Sequence, residues 1–233
     1  TAVDVRGNIP SFIHITDAKQ HGVNALDEMA FDPGAYYLVD RGYLDFGRLY
    51  GICAAGAFFV TRAKKNTLFK RRRSGPVDKS LGLRSDQEGV LCGVRAPKQY
   101  PAPIRRVTYH DEKTDKRLCF LTNSMLIPAI DVCKLYKMRW QVELFFKWVK
   151  QHLRIKHFLG TSQNAVHVQI WIAIATYTMV AILIKELRLQ KSMYEVLQFL
   201  NVSIFEKAQL IEVFSDSEPN AEPGTHLIQG ELL

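Results

Sequence analysis

Apolar and polar positions alternate along the first sixty residues in short runs that are typical of strands separated by short helices. The segment 35–39 is the clearest case, because its aromatic and branched residues form a continuous apolar run that predicts a buried strand. The predicted elements in chain order are two antiparallel strands (2–6 and 10–16), a helix (23–29), a strand (35–39), a helix (44–56) and a strand (57–61). This alternation of strands and helices predicts an α/β fold.

From residue 62 onward the pattern changes to short alternating stretches separated by turns rich in Gly, Pro and Lys. The stretches 89–94, 104–110 and 117–121 predict further strands. The region opens with the segment 62–73, which carries seven cations in twelve residues. A basic run of this kind is typical of a solvated loop or of a nucleic-acid contact, and its charge alone leaves both interpretations open.

A predicted helix after these strands carries a charged stripe opposite an apolar face. The stripe consists of Tyr136, Arg139, Glu143, Lys147, Lys150 and Arg154. The apolar face consists of Met138, Val142, Phe145, Phe146, Val149 and Leu153. At 100° per residue the stripe covers roughly a quarter of the helix circumference, so one carboxylate is held among several cations. That arrangement suits a metal-binding acid beside a polyanion, although Glu143 and Lys147 also have the spacing of an ordinary surface ion pair.

Asp40 directly follows the predicted buried strand 35–39. Ligands of α/β sheets gather at the carboxyl ends of strands, so this position is where a catalytic acid is expected. An Asp at a strand end is also a common turn former or helix cap. The position therefore leaves a catalytic and a structural interpretation of Asp40 open.

Two motifs change this balance. The spacing Y-x2-R-x3-E-x6-K, which Tyr136, Arg139, Glu143 and Lys150 satisfy, resembles the Y-R-E-K signature of bacterial DDE transposases of the insertion-sequence four family. The sequence D-R-G-Y at 40–43 resembles the family's second catalytic aspartate and its neighbours. The resemblance covers about residues 1–190 and implies a ribonuclease-H-like mixed sheet flanked by helices, with a β-rich insertion before the helix that carries the catalytic Glu.

The resemblance also implies three metal-binding acids, with Asp40 as the second and Glu143 as the third. Two Mg²⁺ (or Mn²⁺) ions would neutralise charge at the attacking and leaving oxygens of a phosphodiester. The segment 2–6 resembles the family's second strand, so the opening strand and its Asp are expected to be missing. Asp4 is the alternative candidate for the first acid. The residues expected to contact DNA are Tyr136, Arg139, Lys147, Lys150, Arg41, Lys70, Arg71, Arg72 and Arg73.

The implied function is metal-dependent cleavage and strand transfer in the cut-and-paste transposition of an insertion sequence. The implied partners are double-stranded DNA, as transposon ends and target, and a second copy of the chain. The implied location is the bacterial cytoplasm, in association with the nucleoid. Two alternatives are a catalytically inactive DNA-binding remnant and a ribonuclease-H-like nuclease, which needs the acids but not the Y-R-E-K stripe. The expected domains are 1–62 (first part of the core), 63–117 (basic β-rich insertion), 118–213 (core with the catalytic helix and C-terminal helices) and 214–233 (flexible tail).

Composition agrees with a DNA-binding globular protein. The 233 residues carry a formal net charge of +8, which favours an anionic partner. The four cysteines have no metal-ligand spacing and are expected to be reduced thiols. The segment 170–184 is uncharged over fifteen residues, fewer than the roughly 20 that span a bilayer, so a buried core helix and no membrane partner are expected.

Overall fold

The structure is a computed structural model, and it describes residues 2–4, 9–13, 15, 22–153 and 158–203. The strands are β1 (Ala2–Asp4), β2 (Ile9–Phe12), β3 (Tyr36–Val39), β4 (Phe58–Arg62), β5 (Phe69–Gly75), β6 (Leu83–Leu91), β7 (Ile104–Asp111) and β8 (Lys116–Thr122). The α-helices are α1 (Phe46–Ala54), α2 (Ala96–Gln99), α3 (Ala129–Met138), α4 (Trp140–His152), α5 (Gln163–Glu186) and α6 (Met193–Ser203). Short 3₁₀ helices span Gly22–Glu28, Arg41–Tyr43 and Lys79–Leu81.

A six-stranded mixed sheet with the order β3-β4-β8-β7-β6-β5 forms the framework. β3 and β4 are parallel, with Tyr36 opposite Phe58 and Val39 opposite Thr61, and the other pairs are antiparallel. The predicted ribonuclease-H-like α/β fold with a mixed sheet is thus confirmed. Strands β5, β6 and β7, which lie in the predicted insertion, extend this same sheet. The domain boundaries at 62 and 117 stay predictions.

β1 and β2 pair with each other as a separate two-stranded antiparallel sheet. The hairpin predicted for the start of the chain is therefore present, with a second strand that ends at Phe12 and not at residue 16. Residues 5 and 6 of the first predicted strand lie outside the described residues, as do Arg154 and the tail 214–233.

Helices cover both faces of the sheet because alternate residues of a strand point to opposite sides. On one face, Phe59 of β4 belongs to a buried cluster with Leu49 and Ile52 of α1. On the other face, the next residue, Val60, belongs to a cluster with Val132 and Cys133 of α3. The two helices thereby pack on opposite faces of β4, the parallel neighbour of the strand that leads to Asp40.

A buried arginine fixes the loop that leads into α3. Arg105 of β7 donates from Nε and Nη2 to the two carboxylate oxygens of Asp86 in β6, at 2.8 and 2.7 Å. Its Nη1 donates to the carbonyl oxygens of Ser124 at 3.3 Å and Ile127 at 2.7 Å. The Ser124 hydroxyl is in turn 2.8 Å from the hydroxyl of Tyr36, the first residue of β3. One network therefore joins β3, β6, β7 and the start of α3.

The helix predicted to carry the charged stripe is interrupted at Arg139. The backbone there stays helical (φ −51°, ψ −29°), but Arg139 N–H bonds to Tyr136 O and Val142 N–H to Arg139 O, both at 3.2 Å. These bonds span three residues and not four, so the backbone between α3 and α4 forms one tight turn of the 3₁₀ type. The prediction of one continuous helix is wrong at this residue. Phe145 and Val149 are buried as predicted, whereas Phe146 of the predicted apolar face is exposed.

The compact units of the chain are residues 1–174 and 175–233, with the boundary inside α5. α5 is long and apolar enough to cross a membrane by length and composition alone, and 28% of its most apolar window is buried. Core helices of soluble proteins meet the same criteria, so one such helix does not by itself indicate a membrane span. Trp171, Ile172 and Met179 are exposed, so the expected buried core helix is buried only in part. α6 begins at the predicted residue 193, and the predicted part beyond 203 lies outside the described residues.

Candidate active site

Asp40 leaves β3 at its carboxyl end and begins the 3₁₀ turn Arg41–Tyr43. Its Oδ1 accepts a hydrogen bond from Gly42 N–H at 2.8 Å, which is the capping role that an Asp at a strand end commonly has. Its Oδ2 is 3.2 Å from Nη1 of Arg139. The side chain is 41% exposed. One oxygen thus has the structural role of a turn former, while the catalytic interpretation of Asp40 stays a prediction.

Glu143 lies in the first turn of α4, and its side chain is 44% exposed. Its Oε1 accepts a hydrogen bond from Nη2 of Arg139 at 2.8 Å. The donor is four residues earlier, which is the spacing at which helical side chains meet. The tightened turn at Arg139 therefore preserves the neighbour relation that the stripe predicts between Arg139 and Glu143.

Arg139 thus contacts both candidate acids with one guanidinium group. Its side chain is 19% exposed, and its Nε is buried with no hydrogen-bond partner in the part of the chain that the structure describes. Both contacts end on nitrogens bonded to one carbon atom. The two contacting oxygens of Asp40 and Glu143 are consequently no more than about 8 Å apart. That is inside the roughly 10 Å allowed for acids that share two ions about 4 Å apart.

Tyr136 lies between Arg139 and the hydrophobic core beneath the site. Its ring lies 4.9 Å from that of Phe120 and 5.8 Å from the guanidinium carbon of Arg139. Burial raises the pKa of the Tyr136 phenol, and the charge of Asp40 acts in the same direction against the opposing effect of Arg139. The phenol is therefore protonated at neutral pH and can donate a hydrogen bond. Burial alone would lower the pKa of Arg139, but its hydrogen bond to Glu143 and the charge of Asp40 raise it overall.

Arg62 is a further cation near enough to affect the pKa of Tyr136, and the sequence interpretation did not single it out. It ends β4, the parallel neighbour of β3, and its charge lowers the pKa of Tyr136. The feature of the sequence that could have identified Arg62 is its position at the end of a predicted strand, as for Asp40. That signal was obscured because Arg62 also begins the basic run 62–73.

The other predicted DNA-binding residues lie on two surfaces. Lys147 and Lys150 are exposed on α4, and Arg41 is exposed in the turn after Asp40. Lys70 to Arg73 are exposed on β5, with a bulge between Arg71 and Arg73. β3 and β5 are the two edges of the sheet, so the structure does not bring this run to Asp40. Trp140, the first residue of α4, is also exposed.

Asp40 and Glu143 suit part of a divalent-metal site. Carboxylate oxygens are the protein donors that Mg²⁺ prefers, and it completes its shell with water and substrate phosphate. A cationic group already bridges the two acids, so their spacing accommodates positive charge between them. Among the described residues no group of three His, Cys, Asp or Glu side chains is placed to hold a metal ion. The two acids therefore fit as two of the ligands and not as a complete set.

A mixed sheet flanked by helices is the framework of the ribonuclease-H-like class of folds, the class to which DDE transposases belong. Within this class the chain belongs to the transposase DDE domain family, whose model matches residues 1–179. This confirms the family predicted from the two motifs.

Two relatives illustrate the similarity. A protein of Sinorhizobium fredii that is named as a transposase, y4zB, is 35% identical over 204 residues, which are 86% of this chain and 56% of that protein. A protein of Geobacillus stearothermophilus named as a transposase for insertion sequence element IS5377 is 29% identical over 140 residues, 60% of this chain and 37% of that protein. The chain thus spans about half the length of the first relative and less of the second.

Proposed function

We propose that this chain is the catalytic domain of an insertion-sequence transposase and that Asp40 and Glu143 hold its divalent metal ions. The observation that supports this most directly is the meeting of the two acids at Arg139, because they come from distant parts of the sequence and share one cationic partner. Membership of the transposase DDE domain family supports a nucleotidyl-transfer reaction on DNA. Divalent metal ions are general in this family.

The roles of the surrounding residues follow from their charge and exposure. Bound Mg²⁺ or Mn²⁺ would supply charge neutralisation at the attacking and leaving oxygens of the scissile phosphodiester. Tyr136 donates a hydrogen bond to a phosphate oxygen, because its phenol stays protonated. Lys150 and Lys147 contact neighbouring phosphates from the exposed side of α4. The guanidinium of Arg139 can donate two parallel hydrogen bonds to one phosphate group.

Double-stranded DNA is the proposed partner, both as the element's ends and as the target. The exposed cations Lys70 to Arg73 and Arg41 would bind its backbone without reading its sequence. A reaction on two element ends favours a homodimer. The same substrate favours the bacterial cytoplasm, next to the nucleoid, as the place of action.

A second candidate is a DNA-binding relative of transposases that does not cut. It is favoured by the finding that no third acid joins Asp40 and Glu143 among the described residues. A host ribonuclease-H-like nuclease is less well supported, because it has no use for the stripe of Tyr136, Arg139 and Lys150.

The test is cleavage of DNA that carries the element's ends, with Mg²⁺ or Mn²⁺ and with EDTA. In a longer chain that restores the expected opening strand and its Asp, we expect cleavage only with metal and only with an intact Asp40. The 233-residue sequence by itself should bind DNA without cleaving it, unless Asp4 is the first acid. Metal-dependent cleavage that persists at the wild-type rate in Asp40→Asn would exclude the proposed role of this acid. DNA binding with no cleavage by that longer chain under any metal would favour the second candidate.

A further inference from the structure

The guanidinium of Arg139 lies between the carboxylates of Asp40 and Glu143, the two proposed metal ligands. Nη1 lies 3.2 Å from Asp40 Oδ2, and Nη2 donates to Glu143 Oε1 at 2.8 Å. A divalent cation held by both acids would take one oxygen from each of the same carboxylates. A metal ion held through Asp40 Oδ2 and Glu143 Oε1 would compete with the guanidinium for these two oxygens.

The protein holds Arg139 in this position from both sides. Its backbone forms the tightened turn between α3 and α4, and its side chain lies against the half-buried Tyr136. Two carboxylates that converge without a cation repel each other. A planar guanidinium with several donors can satisfy both at once, whereas a lysine ammonium on a flexible stem fits such a pair less well.

The arrangement also leaves one donor unpaired. Nε of Arg139 is buried and has no hydrogen-bond partner among the described residues. A buried donor without a partner is unfavourable, so the bridge to the two acids carries an internal cost. The bridged position therefore satisfies Nη1 and Nη2 of Arg139 but not its Nε.

We propose that Arg139 is an exchangeable counter-ion, which bridges Asp40 and Glu143 in the metal-free protein and is displaced from at least one of them when a divalent cation binds. The inference rests on the proposed function, since it takes these two acids as metal ligands. It adds that metal affinity is set by competition within the protein and that metal entry frees guanidinium donors. The freed donors are then available to a phosphate oxygen, which ties the grip of the DNA to the loading of the metal.

The experiment measures Mn²⁺ binding to the full chain by the electron paramagnetic resonance signal of free Mn²⁺. It is paired with thermal unfolding in EDTA and in Mn²⁺. For Arg139→Gln we expect about tenfold tighter Mn²⁺ binding than for wild type, within the 5–150-fold range of typical coupling between linked equilibria. We also expect a lower Tm in EDTA, because the two acids lose their common partner, and a larger rise in Tm on adding Mn²⁺.

Three comparisons interpret the result. Arg117→Gln, an exposed arginine on β8, should leave Mn²⁺ affinity unchanged and controls for the loss of one positive charge. Asp40→Asn should abolish the site. Arg139→Lys, which keeps the charge but lacks the fork, should fall between wild type and Arg139→Gln, and it gives the same comparison if Arg139→Gln does not fold.

The outcomes separate this inference from the proposed function. Equal or weaker Mn²⁺ binding by the Arg139 variants, with binding still lost in Asp40→Asn, would overturn the exchange and leave the metal site intact. Mn²⁺ binding by Asp40→Asn with the wild-type affinity would overturn the metal site itself, and the exchange with it.

Discussion

Nη1 of Arg139 lies 3.2 Å from Oδ2 of Asp40, although the two residues are about a hundred positions apart in the sequence. Strands β5 to β8 of the sheet are built from the residues between them. The contact therefore depends on the correct assembly of the whole sheet with α3.

Glu143→Gln should abolish DNA cleavage by the transposase that carries this domain, while DNA binding is retained. The amide keeps the size of the side chain and can still accept from Arg139, but it lacks the charge of a metal ligand. The loss of cleavage rate should exceed the roughly 10–100-fold cost of losing an outer partner of a metal site. Gel assays of cleavage and of binding measure the two effects, with Glu112→Gln in the exposed β7–β8 turn as the matched control. Normal cleavage by Glu143→Gln would refute its role.

Changing Lys70, Arg71, Arg72 and Arg73 to Ala should weaken DNA binding and flatten its salt dependence. Each lost phosphate contact lowers the slope of log affinity against log salt by about 0.9 on duplex DNA. Binding titrations at several salt concentrations give the slope. Replacing Lys113 and Lys116, which are exposed in the β7–β8 hairpin, controls for loss of charge elsewhere. A quadruple variant with the wild-type slope would mean that DNA follows α4 and not β5.

Asp86→Ala should lower the free energy of unfolding by about 3–5 kcal/mol, because it leaves the largely buried Arg105 without its carboxylate. The side chains of Arg105 and Asp86 are only 10% and 18% exposed. Urea unfolding measures the change. Lys134→Ala, which breaks an exposed ion pair with Asp131, should cost about 1 kcal/mol or less. Equal effects of the two variants would show that the buried pair has no special weight.

Cys133 should make the fold less stable in alkali. Burial raises the pKa of its thiol from 9.0 to about 12, so the folded chain keeps a proton that the unfolded chain loses. The unfolded state then binds fewer protons, and stability falls as the pH rises from about 9 to 12. Full stability from this group is present below about pH 9. Urea unfolding at pH 8, 9.5 and 10.5 should show a shallower decline for Cys133→Ala than for wild type, and parallel declines would contradict the prediction.

The sequence predicted one half of the site contact and not the other. Arg139 and Glu143 meet because residues four apart on a helix are neighbours. This spacing can be read directly from the sequence. The reach from Arg139 to Asp40 depends on how α3 packs on β4 through Val132 and Cys133, and no local pattern encodes that geometry. Asp40 was predictable as a strand-end acid only because the strand before it is continuously apolar.

Two features of the fold were hidden for physical reasons. The tightened turn at Arg139 has neither the Pro nor the Gly that commonly marks a break in a helix. The alternation in β5, β6 and β7 predicts strands but not their partners, because pairing is decided by contacts between distant residues. The sheet order therefore could not be read from the pattern, even though most of its strands could.

The sheet order has a consequence for how DNA would lie on the protein. β3, which leads to Asp40, and β5, which carries the basic run, are the two edges of a six-stranded sheet and are five strand spacings apart. At about 4.8 Å per spacing this is roughly 24 Å. Duplex DNA rises about 3.4 Å per base pair, so the edges are separated by roughly seven base pairs. If one duplex contacts both edges, the width of the sheet would set the distance between these contacts. DNA bases protected from nuclease by β5 would then be centred about two-thirds of a helical turn from the cleavage site.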